Sequence, residues 1–119
     1  MANVTLRRVP PVGGMETLAA FASRRRVGQI QWMQVGGLCP IGEIWVAPAY
    51  RRAGIASALI GEAHRRCMRR YGLPLSSSGI VSPALQALFR RMEAEGLAAW
   101  NGREWVVSVG LNVVPSAFE

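Results

Sequence analysis

Lysine is absent from the chain, and all fourteen of its basic residues are arginine. A GC-rich genome accounts for that preference, but the physical result is the same whatever its origin. Every cation is a planar, permanently charged fork whose geometry matches phosphate. Histidine is nearly absent too. His64 stands alone beside two cysteines, Cys39 and Cys67. That leaves almost no material for a metal site or a Ser-His-Asp set, and cysteines without a CxxC partner lack metal-ligand spacing. No metal and no disulfide framework are expected; Cys39 and Cys67 read as buried or half-buried free thiols, and His64 as a surface or satisfied histidine. No apolar run reaches the ~18 residues needed to cross a bilayer. The opening MANVTLRRVPP lacks the charged-then-apolar order of a secretory leader. A soluble, cytoplasmic protein with no membrane partner is the expectation. Walker-type GxxxxGK[ST] and dinucleotide-type GxGxxG patterns are missing, as are internal repeats and low-complexity tracts.

What is present is a chain of 119 residues, half of them hydrophobic and 18% charged. Those proportions exclude global disorder, and the length predicts a single domain, 1–119. The net charge of +7 implies polyanionic partners, either a nucleic acid or a phosphate-bearing cofactor.

Residues 3–9 (NVTLRRV) read as a strand stopped by Pro10 and Pro11. Residues 15–22 fit a strand or a short helix. Followed by SRRR and the alternating VGQIQWMQV, they are best read as strand–turn–strand. Residues 36–40 (GGLCP) form a turn, and 41–46 a further strand closed by Pro48. From Gly54 the period changes. Ile55, Leu59, Ala63, Cys67 and Tyr71 recur every four residues along one helical face. Arg65, Arg66, Arg69 and Arg70 fall largely on the rest of that surface, where a solvated face and a polyanion contact both fit. Gly72 and Pro74 end the helix. A short serine-rich strand over 75–81 follows. Ser82-Pro83 then opens a second helix, with Ser82 as N-cap. Its core stripe is Leu85, Leu88, Phe89 and Met92, and its stop is Gly96. Asn101-Gly102 signals a terminal hairpin. The order predicts an α/β arrangement with a mixed sheet.

The join at residues 46–57 carries the chemistry. A helix start leaves backbone N–H groups unpaired and partially positive. Gly54 permits close approach of a ligand, Ala56 keeps the next position small, and Arg51 and Arg52 add charge. That combination suits an anion such as a diphosphate.

The stretch IWVAPAYRRAGIASALI resembles the acyl-CoA binding motif of the GNAT superfamily of N-acetyltransferases. The family pattern is a strand ending Val-x-Pro, then [Q/R]-x-x-G-x-[G/A] opening a helix; Arg51, Arg52, Ala53, Gly54, Ile55 and Ala56 fit it. VGQIQWM upstream and SPALQALFRRMEAEGL downstream extend the likeness over residues 17–108. The second of these resembles N-x-x-A-x-x-L-Y-x-x-x-G-F. The resemblance implies a GNAT-like acyl-CoA N-acyltransferase fold, a mostly antiparallel mixed sheet flanked by helices. Acetyl-CoA is implied as co-substrate, its acetyl group passing to a primary amine by direct attack. The resemblance places the pantetheine arm on the strand ending at Val46. It places the pyrophosphate on the amides of Arg51, Arg52, Gly54, Ala56 and Ser57, and a cofactor contact at Ser82, where the family often has asparagine. Phe89 stands where the family usually has a proton-donating tyrosine. Tyr50 and Tyr71, the only phenols, cannot be placed at the thiolate from sequence. The helices that usually separate the first two strands are missing, only PPVGG lying between them. The acceptor pocket is therefore open or completed by a second subunit.

Glu43 is the attractive general base, lying on the motif strand beside Ile44 and Trp45, a setting that predicts partial burial and a raised pKa; Glu16 and Glu104 are remoter candidates. Trp32 and Trp45, on adjacent strands, either pack together or line an acceptor slot. The acceptor is a small molecule, a protein or a modified nucleic acid. The apolar WVVSVGLNVV (105–114) points to a homodimer. Two other readings remain: a catalytically degenerate CoA-binding fold, favoured by Phe89 and the missing helices, and a basic nucleic-acid-binding module. Against the latter, the arginines come mostly in pairs and are not interleaved with aromatics.

Overall fold

A computed structural model describes residues 3–79 and 82–108. Its first four strands are β1 (Val4–Val12), β2 (Met15–Ala22), β3 (Arg25–Trp32) and β4 (Cys39–Val46), each antiparallel to the next. Helix α1 (Ile55–Tyr71) leads to β5 (Leu75–Ser76), helix α2 (Pro83–Ala94) and the hairpin β6 (Ala98–Trp100) and β7 (Trp105–Val107). Together they make one seven-stranded sheet in the order β1-β2-β3-β4-β5-β7-β6. Only β4 and β5 run parallel, as a strand–helix–strand crossover through α1 requires. The result is the expected α/β (α+β) class with a mixed sheet.

Strand β1 does not stop at Pro10 and Pro11, as expected, but runs through them to Val12. It lies at the sheet edge and its register shifts between Val9 and Val12. An edge position spares the missing proline donors, and the irregularity absorbs the rest. Gly13 and Gly14, both at positive φ (59° and 78°), then return the chain straight into β2 in the manner of a tight hairpin turn. Residues 15–22 are a strand, and β4 begins at Cys39, inside the segment expected to be a turn.

The spacing of α1 is matched by its burial. Ile55, Leu59, Ala63 and Cys67 are all 0–1% exposed, packed over Leu18, Ile30 and Leu75 in one core. Each large apolar side chain so buried contributes about 1.5–3 kcal/mol. Gly28 of β3 shows how closely the helix sits. A Cβ there would meet Ile55 Cγ2 at 3.4 Å, Leu59 Cδ1 at 3.5 Å and the Trp45 carbonyl oxygen at 3.1 Å. The pleat then places Gly28, Ile30 and Trp32 beneath α1, with Gln29 and Gln31 and their partners Trp45 and Glu43 on the opposite face. Trp32 and Trp45 therefore do not stack. Trp32 is buried and Trp45 is 38% exposed.

Gly72 (φ 67°) closes α1 by donating to the Met68 carbonyl, and Ser82 caps α2 by accepting from Leu85 N at 3.2 Å. Leu88, Phe89 and Met92 of the expected stripe are buried, while Leu85 only packs against the core. The Asn101-Gly102 hairpin forms with a longer loop than its signal predicts. Trp100 pairs with Trp105, and Asn101 Oδ1 accepts from both Arg103 N and Glu104 N at 2.9 Å, an Asx-type turn. Of the serine-rich strand, Leu75 and Ser76 are in the sheet; residues 80 and 81 lie outside the described residues, as do 109–114 of the segment read as a dimer strand.

Candidate functional site

Strands β4 and β5 are paired only at Cys39↔Leu75 and Pro40↔Ser76. Beyond that point β4 continues to Val46, whereas the chain after β5 turns to β7, with Ser77 N donating to the Trp105 carbonyl at 2.8 Å. Among the described residues, the later half of β4 has a strand neighbour on its β3 side alone. An extra residue, Gly42, interrupts that pairing between Trp32↔Ile41 and Gln31↔Glu43. A side chain at Gly42 would collide with the end of Met15. The bulge bends β4 away from β5, and the two strands open as a wedge. Ser76 sits at its vertex, fully buried, its hydroxyl without a partner among the described residues. Nothing in the serine-rich stretch singles Ser76 out, because its burial depends on the remote β4 and β7.

At the wide end of the wedge, Ala47 N donates to the Val27 carbonyl at 2.8 Å, and Pro48–Tyr50 make one 3-10 turn. Arg52 adopts the left-handed region (φ 67°), and so does Gly54 (φ 79°), the N-cap of α1. Gly54 supplies no side-chain cap, and the first helical bond runs from Ala58 N to the Gly54 carbonyl at 3.0 Å. The N–H groups of Ile55, Ala56 and Ser57 thus precede any helical acceptor. A left-handed residue before a right-handed one turns such amides toward a common concavity. Ala56 and Ser57 are half-buried and Ile55 is buried, so Ile55 offers a ligand its backbone while its side chain holds the helix to β3. Ala53 is half-buried beside them.

Two residues of the motif are already engaged. Arg51 Nε donates to the Val46 carbonyl at 3.1 Å, tying the loop to the end of β4, so a ligand amide pairing with that carbonyl shares or displaces Arg51. Ser82 is exposed, and its Oγ accepts from Leu85 N, leaving the hydroxyl proton free to be donated. Arg52 is exposed beside the amides.

The partial burial expected of Glu43 is not found. It is exposed on the face away from α1, and its Oε1 accepts from Gln29 Nε2 at 2.7 Å. Phe89 is fully buried and stacked on Trp105, with centroids 5.9 Å apart. Counted back from Gly96 rather than forward from Ser82, the pattern's tyrosine position falls on Met92, because three extra residues separate Phe89 from the glycine. Neither residue has a proton to give. Tyr71 donates to Glu16 Oε2 at 2.9 Å, and that bond pushes its pKa up. It also ends a helix roughly 24 Å long at 1.5 Å per residue, remote from the α1 start. Glu104 belongs to the β6–β7 turn, where its backbone N–H donates to Asn101 Oδ1. His64 is buried, with Nδ1 accepting from Leu75 N at 3.2 Å. Burial, helped by the Arg65 charge, lowers its pKa to about 4. Cys39 and Cys67 are free and buried, and burial raises both thiols, which favours the thiol over the thiolate.

The family model described as an acetyltransferase (GNAT) domain matches residues 15–93, more than half of the chain. No curated protein matches in sequence. Among solved structures, an IAA acetyltransferase from Bacillus cereus is 16% identical with a TM-score of 0.62, covering 87% of this chain and 96% of that one. A GNAT family acetyltransferase from Elizabethkingia anophelis, with acetyl-CoA bound, is 14% identical with a TM-score of 0.63, covering 87% and 95%. The ribosomal-protein-S18-alanine N-acetyltransferase of Escherichia coli is 14% identical with a TM-score of 0.61, covering 88% and 90%. At such identities the likeness is one of fold. With the family model spanning both the wedge and the uncapped start of α1, the chain belongs to the GNAT acetyltransferase family.

Proposed function

We propose that the protein transfers the acetyl group of acetyl-CoA to a primary amine by direct attack. The observation that carries this reading is the uncapped, left-handed entry to α1 at the open end of the β4–β5 wedge, inside the segment the family model matches. In this reading the diphosphate lies on the amides of Ile55, Ala56 and Ser57 with Arg52 beside it, and the pantetheine arm follows the open edge of β4 toward the Gly42 bulge. The amine nitrogen attacks the thioester carbon, an oxyanion forms, and its collapse releases the CoA thiolate. The wedge holds both reactants in register, which supplies much of the rate in such a reaction. Glu43, on the open face of β4, takes the ammonium proton directly or through water. The thiolate takes its proton from solvent or from the protonated nitrogen of the tetrahedral adduct as the amide forms, since Phe89 and Met92 have none.

The short Gly13-Gly14 connection leaves the sheet face carrying Glu43 and Trp45 uncovered by any intervening helix. That openness fits an acceptor presented on a larger molecule, such as a protein amine, better than a small enclosed one. Cytoplasmic location and a homodimer complete the proposal. Thiol release from acetyl-CoA, assayed across small amines, peptide amines and lysine side chains, tests it. Release that depends on an amine class is expected. Saturable binding with no release above the buffer rate would favour a second reading, a CoA-binding member without catalysis, which the buried Phe89 supports.

A further inference from the structure

The last turns of α1, roughly 20 Å from its start at 1.5 Å per residue, help to wall a cavity of about 200 Å³. Helix α1 contributes Arg66, Arg69 and Arg70, and Arg8 of β1 faces them. Glu16 is the single carboxylate in the wall, and both its oxygens are taken, Oε1 by Arg70 Nη1 at 3.0 Å and Oε2 by the Tyr71 hydroxyl at 2.9 Å. Arg66 Nε donates to Glu62 at 3.0 Å. Arg8 and Arg69 are exposed and make no ion pair among the described residues. Trp32 of β3 also lines the cavity. It is 2% exposed, and its indole N–H is without an acceptor among the described residues. The ring therefore borders the cavity while its N–H lies just beneath the wall, so the indole reports on whatever fills the space.

We propose that this cavity is a second oxyanion site, distinct from the α1 start and independent of acyl transfer, which takes a small phosphate or phosphate ester. Guanidinium forks pair with phosphate oxygens, and Arg8 and Arg69 are the two in this wall without an ion pair among the described residues. With a water occupying about 30 Å³ of liquid, the space admits a phosphate with a short substituent. A polynucleotide track would need exposed aromatic faces for stacking bases, whereas the Trp32 ring is buried.

The experiment follows the Trp32 indole N–H in proton–nitrogen spectra, assigned with Trp32→Phe, during titration with inorganic phosphate or glycerol phosphate against chloride at matched ionic strength. A saturable shift of that signal is expected with either probe. In the Arg8→Gln/Arg69→Gln double variant, whose changes are on the surface, affinity should fall by about tenfold for each guanidinium removed. The amides of Gly54–Ser57 report the α1 start separately in the same spectra. Shifts confined to those amides, a linear indole response, or unchanged affinity in the double variant would overturn the proposal. So would an indole that responds only to a single-stranded oligonucleotide, which would assign the arginines to nucleic acid.

Discussion

Gly54 is where a single side chain has the most consequence. Its φ of 79° strains any L-residue by about 1–2 kcal/mol, and glutamate would add bulk and negative charge among the amides of α1. Gly54→Glu should abolish acetyl-CoA binding, while Gly54→Ala, which shares the backbone strain without the charge, should weaken it less. Glu43→Gln should lower turnover and leave cofactor affinity nearly intact; an unchanged rate removes Glu43 from the proton path. His64 contributes a pH-dependent part of the stability on the acid side. Its folded pKa of about 4 lies below the ordinary 6.5, so above pH 6.5 it is neutral in both folded and unfolded chains. As pH falls from 6.5 toward 4 the unfolded chain takes the proton first, and stability drops by at most about 3 kcal/mol, less after solvent screening. Thermal melts across that window should flatten in His64→Gln; a profile unchanged by the substitution would contradict the assignment.

Among the elements, α1 depends on its approach to β3. Gly28→Val would drive a branched side chain into Ile55 and Leu59 and should cost about 1–3 kcal/mol, read as a lower urea midpoint; an unchanged midpoint would mean the helix is free to shift. Helix α1 was also the most legible element in sequence. Its four-residue apolar spacing and its bounding glycines, Gly54 and Gly72, are local signals, and the structure keeps both ends. The α2 start was equally plain, since Ser82-Pro83 encodes its own cap. The end of β1 was not, because a proline's cost depends on whether its strand is central or at an edge, and sheet order is a property of the whole chain. The Asn101-Gly102 loop failed by length, its asparagine side chain organising a longer turn.

At the scale of the whole molecule, the uncapped join at residues 46–57 could be read from sequence because strand end, loop and helix start are contiguous. The wedge itself could not. Its opening depends on how few pairs join β4 to β5 and on the Gly42 bulge opposite β3. The cavity under the end of α1 was invisible for the same reason, since Arg8, Trp32 and Arg69 meet only after folding. The exposure of Glu43 likewise depends on the direct β1–β2 connection, which inserts no helix between those strands. What most directly tests the whole account is a calorimetric titration of acetyl-CoA into the protein and into Gly54→Glu. Saturable heat in the first and none in a folded Gly54→Glu is the predicted result. No saturable binding at millimolar acetyl-CoA, or equal affinity in the two, would contradict it.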